Sequence, residues 1–264
     1  MQSKFSVKLP QPKEEKCIVL ATGPSLASTM EKYPDKLKNT SLICVNTFAN
    51  SLEFKQLKPK YYVMLDPYFW EGNTDDIKTT FNNLKESDWK ICLFVPQYAI
   101  NKKVFKTLRS SNNKIQIIPF NYTVFKGVSS IAHWCYSKNL AMPQSLNVSI
   151  AALFIGVNMG FKEIYLVGAD HTWHQDLMMN DDNIMHTKVP HFYENKDTVK
   201  FAPFYKGRNK ERGTYKAHEF FDIWSRTFNA YQQVQTYTMS TKSKIYNASE
   251  QSFIDAFERK KLLQ

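Results

Sequence analysis

Apolar residues in this chain fall into short runs rich in β-branched, aromatic and aliphatic side chains, and each run stops abruptly on a polar or turn-forming residue. Residues 17–21, 41–45, 61–65, 89–95 and 114–118 are five such runs. They read as buried strands, too uniformly apolar for a half-exposed sheet. Between them lie segments of helical length, around 26–38, 49–57, 74–86 and 99–109. Strands alternating with helix-length connections predict an α/β fold, a mostly parallel sheet with helices on both faces. The clearest unit lies further on. Leu146, Ile150, Leu153, Phe154 and Val157 recur at helical spacing, Gly160 ends that helix, and 161–167 is another apolar run that stops on Gly168, Ala169 and Asp170. Ligands in open α/β sheets collect at the carboxyl ends of the strands. Gly168, Asp170 and His171 are therefore expected at the site, as are Asn46 and Asp66, which end the second and third strands.

The remaining pattern predicts the rest of the chain. Residues 120–145 have weak periodicity and read as a connection bordering the site. Asn147 and Ser149 stand at the start of the next helix, where capping is their ordinary role. Residues 171–215 hold His171, His174, His186, His191, Asp181, Asp182, Tyr193, Tyr205, Arg208 and Arg212 with little regular pattern. A stretch this long and this aromatic reads as a lid over substrate. Its histidines have no HExxH spacing and no accompanying cysteine, so no metal site is expected. Ala217, Phe220, Phe221, Trp224, Phe228 and Tyr231 form the apolar stripe of a long amphipathic helix. Residues 244–247 are a last strand. Ser249 or Ser252 then opens a final helix packed by Phe253, Ala256 and Phe257. One domain is expected over 17–262, with 171–215 inserted as the lid and 1–16 as a flexible leader.

Composition narrows the function classes. The chain has 264 residues, 43% hydrophobic and 22% charged, enough for one sizeable core. Its formal net charge of +11 suits an acidic partner such as a nucleotide-linked substrate or an anionic membrane face. No compact basic and aromatic motif of an RNA-binding kind occurs, so nucleic acid is not expected. Cys17, Cys44, Cys92 and Cys135 include no CxxC pair and read as buried reduced thiols. The first sixteen residues lack an apolar signal core, and no run is long enough to span a bilayer. A cytoplasmic protein is expected, with any membrane contact peripheral.

The first strand runs into Thr22-Gly23-Pro24-Ser25-Leu26, a glycine turn opening a helix, with Ser25 as its expected cap. Such a turn can hold an anion on backbone N–H groups and the helix dipole. Gly23-Pro24-Ser25-Leu26 resembles the GPSL turn of a superfamily that includes the bacterial CMP-sialic-acid-dependent sialyltransferases. The same superfamily takes in the Maf-type flagellin-modifying proteins and the DUF115, or 6-hydroxymethylpterin pyrophosphokinase MptE-like, proteins. Asn46 matches the asparagine ending their second strand. The segment from Gly160 to Asp170 is similar to their Gly-aromatic-Lys-Glu-Ile-Tyr-Leu-x-Gly-x-Asp, and 245–257 resembles the end of DUF115 domains. The matches span roughly 17 to 258.

The resemblance implies a Rossmann-like nucleotide-binding domain with a lid. It implies CMP held by the GPSL turn, the asparagine and the Gly-x-Asp region, a lid histidine as general base, and tyrosines on the departing phosphate without a metal. The chain departs from the sialyltransferases where Asp170 is followed by His171-Thr172 instead of Phe-Tyr. The position of their base falls near Asn209. Asp170-His171 followed by Trp173, Asp181-Asp182-Asn183 and His191-Phe192-Tyr193 resembles the DUF115 branch more closely. The expected assignments are Gly23, Pro24 and Ser25 on phosphate, Asn46, Asp66 and Ser149 on ribose or sugar, and Gly168 and Asp170 shaping the site. His171 or His191 is the candidate base, with Tyr193, Tyr205 and Arg208 as lid contacts to the leaving phosphate. The expected function is transfer from a nucleotide-activated, CMP-linked sugar to a glycan or glycolipid of the bacterial surface. One alternative is an MptE-like pyrophosphokinase using ATP, with Mg²⁺ on Asp66, Asp170 or Asp181. The other is a nucleotide-binding protein without turnover.

Overall fold

The computed structural model describes residues 7–188, 200–206 and 212–262. Its first half alternates β1 (Lys16–Leu20), α1 (Ser25–Lys32), α2 (Pro34–Lys38), β2 (Ser41–Val45), α3 (Leu52–Leu57), β3 (Tyr61–Val63), α4 (Tyr68–Glu71), α5 (Asp75–Lys85), β4 (Ile91–Pro96), α6 (Lys103–Ser111) and β5 (Ile115–Phe120). Then come α7 (Ser129–Ser137), α8 (Val148–Met159), β6 (Glu163–Val167), β7 (Leu177–Met179), β8 (Met185–Thr187), β9 (Ala202–Pro203), α9 (Ala217–Thr238), β10 (Lys244–Asn247) and β11 (Glu258–Arg259). Eight strands form one sheet in the order β11-β10-β6-β1-β2-β3-β4-β5, and every pairing in it is parallel. The expected Rossmann-like α/β class holds.

Alternate residues of each strand serve two cores. In β1, Cys17 and Val19 face the core of α7, α8 and α9, while Ile18 and Leu20 face the core of α1, α2, α3, α5 and α6. Burial on both faces is why these strands read as continuous apolar runs. The helix α8 is buried nearly all round, not along the single stripe expected, since it lies between the sheet and α9. Leu146 precedes it and is exposed. Gly156 lets α8 lie close to the sheet: a Cβ there would stand 3.2 Å from Ile164 Cδ1 and 3.3 Å from Ile43 Cδ1.

Several expectations change. Residues 7–15 are no free leader: Val7 and Leu9 are buried in the core, and Glu15 accepts the N–H of Lys162. The helix expected over 26–38 is two helices, because Pro34 cannot continue the first and instead opens α2. The connection 120–145 contains α7. No final helix forms after Ser249. There the Ser249 hydroxyl takes the N–H of Ala169, Ser252 donates to Ala169 O, and Phe253 N–H donates to Asp170 O at 2.8 Å. Bonds spent on the loop after β6 replace the bonds of a helix turn, and the chain closes as β11.

The described residues of the segment expected as a lid include three strands. β7, β8 and β9 form a small antiparallel sheet. Asp181 and Asp182 belong to the β7–β8 turn, where Asn180 Oδ1 accepts Ile184 N–H and Asn183 adopts positive φ. Met185 on β8 packs with Phe220 and Trp224 of α9.

Candidate functional site

Strands β2 to β5 extend the sheet to one side of β1, and β6, β10 and β11 extend it to the other. The order therefore reverses between β1 and β6, and the crevice at a reversal point is where open α/β sheets bind ligands. A cavity of about 190 Å³ opens there. Ala21, Thr22, Gly23 and Pro24 line it from β1, Val45 and Asn46 from β2, and Asn147, Val148 and Ser149 from the amino end of α8. Gly168, Asp170, His171, Thr172, Trp173 and Asp176 complete the wall after β6. The volume is below the ~300–1,000 Å³ of typical whole-ligand pockets, which suits one moiety of a larger ligand.

The wall is built by close backbone approach. Gly23 N–H donates to Gly168 O at 2.8 Å, and a Cβ on Gly23 would fall 2.5 Å from that oxygen. Gly168 has φ +66°, and a Cβ on it would meet Ala21 O at 2.7 Å. Asp170 is buried, and its carboxylate receives the Ser25 N–H at 2.8 Å and the Ser25 hydroxyl. It thus caps α1 from 145 residues away, a role sequence neighbours normally fill.

This changes the assignment of the turn. Gly23 N–H and Ser25 N–H are engaged, Leu26 N–H donates to Gly23 O, and Pro24 has no N–H. The positive end of α1 faces Asp170, Gly23 and Pro24 line the cavity, and the N–H groups of Gly23 and Ser25, expected on phosphate, are spent on Gly168 and Asp170. Ser25 is also not the expected cap; it is the first helical residue. The helix end facing the cavity is that of α8. There Asn147 Oδ1 takes the N–H of Ser149 at 2.7 Å, and the dipole of this twelve-residue helix favours an anion.

Asn46 sits in the left-handed region at φ 51°, and its carbonyl accepts the Tyr62 hydroxyl. Its side-chain Oδ1 is buried and has no hydrogen-bond partner. Buried polar atoms are nearly always paired, so an unpaired one in a cavity wall marks a place for a ligand donor. Asp66 does not join it. Its carboxylate accepts Tyr68 N–H at 2.7 Å, and it is exposed outside the wall.

His171 lines the cavity, but its chemistry differs from expectation. It is buried at φ 51°, stacks on Trp173 at 4.4 Å between ring centres, and its Nε2 lies 2.8 Å from the Tyr231 hydroxyl. Burial lowers its pKa to about 3. Burial also pushes the Tyr231 phenol well up, an effect partly offset by a hydrogen bond with Ser149. The chain Ser149–Tyr231–His171 is therefore uncharged near neutral pH. A general base works best with a pKa near the operating pH, and burial takes His171 well below it. Tyr205 bridges Thr214 and lies outside the cavity wall. His191, Tyr193 and Arg208 lie outside the described residues.

Sequence reasoning missed Tyr231 as a site neighbour, and Trp173 and Asp176 as wall residues. Tyr231 carried only the signal of a core stripe. Ser249 and Ser252, read as helix caps, instead buttress the 169–170 loop.

The family model described as 6-hydroxymethylpterin diphosphokinase MptE-like matches residues 2–176, about two thirds of the chain. The protein belongs to this family. The matched part of this MptE-like protein includes every residue lining the cavity and ends before α9. The solved structure of a MAf glycosyltransferase from Magnetospirillum magneticum AMB-1 is similar in fold, with a TM-score of 0.56 at 13% identity. The alignment covers 97% of the MptE-like chain and 35% of that one, so the chain spans about a third of the length of that relative. A comparison with curated proteins gives no match. Both matched descriptions name transferases. Among the described residues no helix is long and apolar enough to cross a membrane.

Proposed function

We propose that this MptE-like protein transfers a sugar from a nucleotide-activated donor, CMP-linked, to a glycan or glycolipid acceptor in bacterial surface-glycan assembly. The observation that carries the reading is the unpaired, buried Asn46 Oδ1 in the wall of the switch-point cavity. A ribose hydroxyl or a base amino group supplies the donor that this oxygen lacks. Ser149 lies on the same wall, and the amino end of α8 offers its dipole to the departing phosphate. Asp170 and His171 keep the wall in shape. His191 is the candidate base, with Tyr193 and Arg208 as candidate contacts to the phosphate.

The family description favours a second reading, diphosphate transfer from ATP with Mg²⁺. The expected ligands stand apart: Asp170 holds Ser25, Asp66 accepts the Tyr68 N–H outside the cavity wall, and Asp181 lies in the β7–β8 turn.

A thermal-shift series with CMP, CDP, UDP, GDP and ATP, each with and without Mg²⁺, separates the readings, because a ligand of the folded state alone raises the midpoint. The expected result is a metal-independent rise with CMP that Asn46→Ala abolishes. A rise only with ATP and Mg²⁺ selects the diphosphokinase. A CMP shift with no product from any CMP-linked sugar selects a binding protein without turnover.

A further inference from the structure

The helix α7 carries its apolar and polar faces in an unusual arrangement. Val128, Ile131 and Trp134, spaced three apart, are 67%, 52% and 54% exposed. Single exposed apolar residues are ordinary, but Ile131 and Trp134 on α7 with Val128 at its N-cap make a patch. The opposite face, with Ser129, Ala132, His133 and Tyr136, borders a second cavity of about 410 Å³ between α7 and α9. Lys126 and Arg226 also line that cavity, and no Asp or Glu does. Arg226 pairs through Nη2 with Asp222 at 2.7 Å, while its Nε is buried and unpaired.

Charge in this part of the chain is one-sided. Residues 89–162 contain nine Lys and Arg and no Asp or Glu. Two of those cations, Lys102 and Lys162, pair with Glu71 and Glu15 from outside the stretch. Lys126 and Lys138 flank α7 directly and are exposed. Lys103, Lys106 and Arg109 belong to α6, across the sheet from α7, so the cations beside its apolar, tryptophan-bearing face are Lys126 and Lys138, and that pairing matches an anionic bilayer. Tryptophan favours the headgroup level, lysines gain from the surface potential, and the aliphatic side chains enter the acyl boundary.

We propose that the outer face of α7 is an interfacial anchor for an anionic membrane, with an anionic lipid headgroup seated in the cavity behind it near Lys126, His133 and Arg226. The anchor is independent of the transferase reading, since vesicle binding needs no nucleotide and no turnover.

The test is co-sedimentation of the full chain with vesicles of phosphatidylcholine alone, and of phosphatidylcholine containing one-third phosphatidylglycerol, at low and high salt. The wild type is expected to bind the anionic vesicles and to prefer them strongly over neutral ones. Ile131→Ser with Trp134→Ser removes exposed side chains only. It is expected to weaken binding by about tenfold or more, with an unchanged thermal midpoint. Lys126→Gln with Arg226→Gln is expected to lose about fivefold per charge of the preference for the anionic vesicles. Absence of wild-type binding to anionic vesicles overturns the proposal, as does undiminished binding by the Ile131/Trp134 variant. An unchanged lipid preference in the Lys126/Arg226 variant overturns the headgroup site.

Discussion

Gly168 and His171 stand three residues apart and are constrained by different forces. Gly168 is held by sterics. With φ at +66° and an added Cβ only 2.7 Å from Ala21 O and 2.8 Å from Leu26 Cβ, Gly168→Ala must open the β1–β6 crevice. It is expected to lower unfolding free energy by about 1–3 kcal/mol or more, measured by urea denaturation. Stability equal to wild type would contradict the close approach. His171 is held by burial, with pKa about 3 in the fold against roughly 6.5 unfolded. Below pH 6.5 the unfolded chain takes up a proton that the folded chain refuses. This contribution is therefore complete above pH 6.5 and is lost as pH falls towards 3, at about 1.4 kcal/mol per unit. His171→Asn, which tolerates positive φ, should flatten the curve. The difference from wild type should change by about 2 kcal/mol between pH 7 and 5, and parallel curves would show that the imidazole is not buried neutral. The glycine, the aspartate and Asn46 were legible in the sequence because they end strands. The state of His171 was not, because it depends on burial against Trp173, Phe228 and Tyr231, which only the fold brings together.

Elements built from unbroken apolar runs were legible to within a residue or two at most of their ends. Those whose bonds run to distant partners were not. α7 was hidden because its exposed face is apolar and its inner face partly polar, which erases the usual amphipathic signal. The stretch after Ser249 had helical spacing, yet its hydroxyls and N–H groups are taken by residues 169 and 170. Long-range polar bonds also join the helices. Asn158 on α8 donates to Tyr136 O at 2.8 Å and to Asn139 Oδ1 at 2.7 Å, and accepts the Tyr237 hydroxyl of α9 at 2.7 Å. One amide thus ties α7, α8 and α9 together. Asn158→Ala leaves the Tyr237 hydroxyl buried without that acceptor and should cost about 2–4 kcal/mol. Tyr237→Phe in the same background should cost little more, since the shared bond is already gone. Additive losses in a double-mutant cycle would show that the two side chains act separately.

At the level of the molecule, the sheet order explains why recognition by family and completeness of fold differ. The family match ends at Asp176 and contains the whole cavity wall. The sheet needs more chain than that. β6 pairs with β1 on one side and β10 on the other, so without residues 244–247 it becomes an unpaired edge. α8 would lose Ala230, Tyr231, Val234 and Tyr237, all buried in the core it shares with α9. Removing these four side chains exposes a continuous apolar face, at roughly 1.5–3 kcal/mol for each large one, against a total stability of only about 5–15 kcal/mol. The site would also lose the Tyr231 partner of His171 and the Ser249 and Ser252 supports of the 169–170 loop. A fragment ending at Asp176 is therefore expected to be insoluble, or to unfold without a cooperative transition, although it carries every residue that touches the cavity. Circular dichroism melts of the fragment and the full chain decide the point. A fragment with a cooperative melt near the full-chain midpoint would mean that the carboxyl-terminal third decorates the α/β fold instead of completing it.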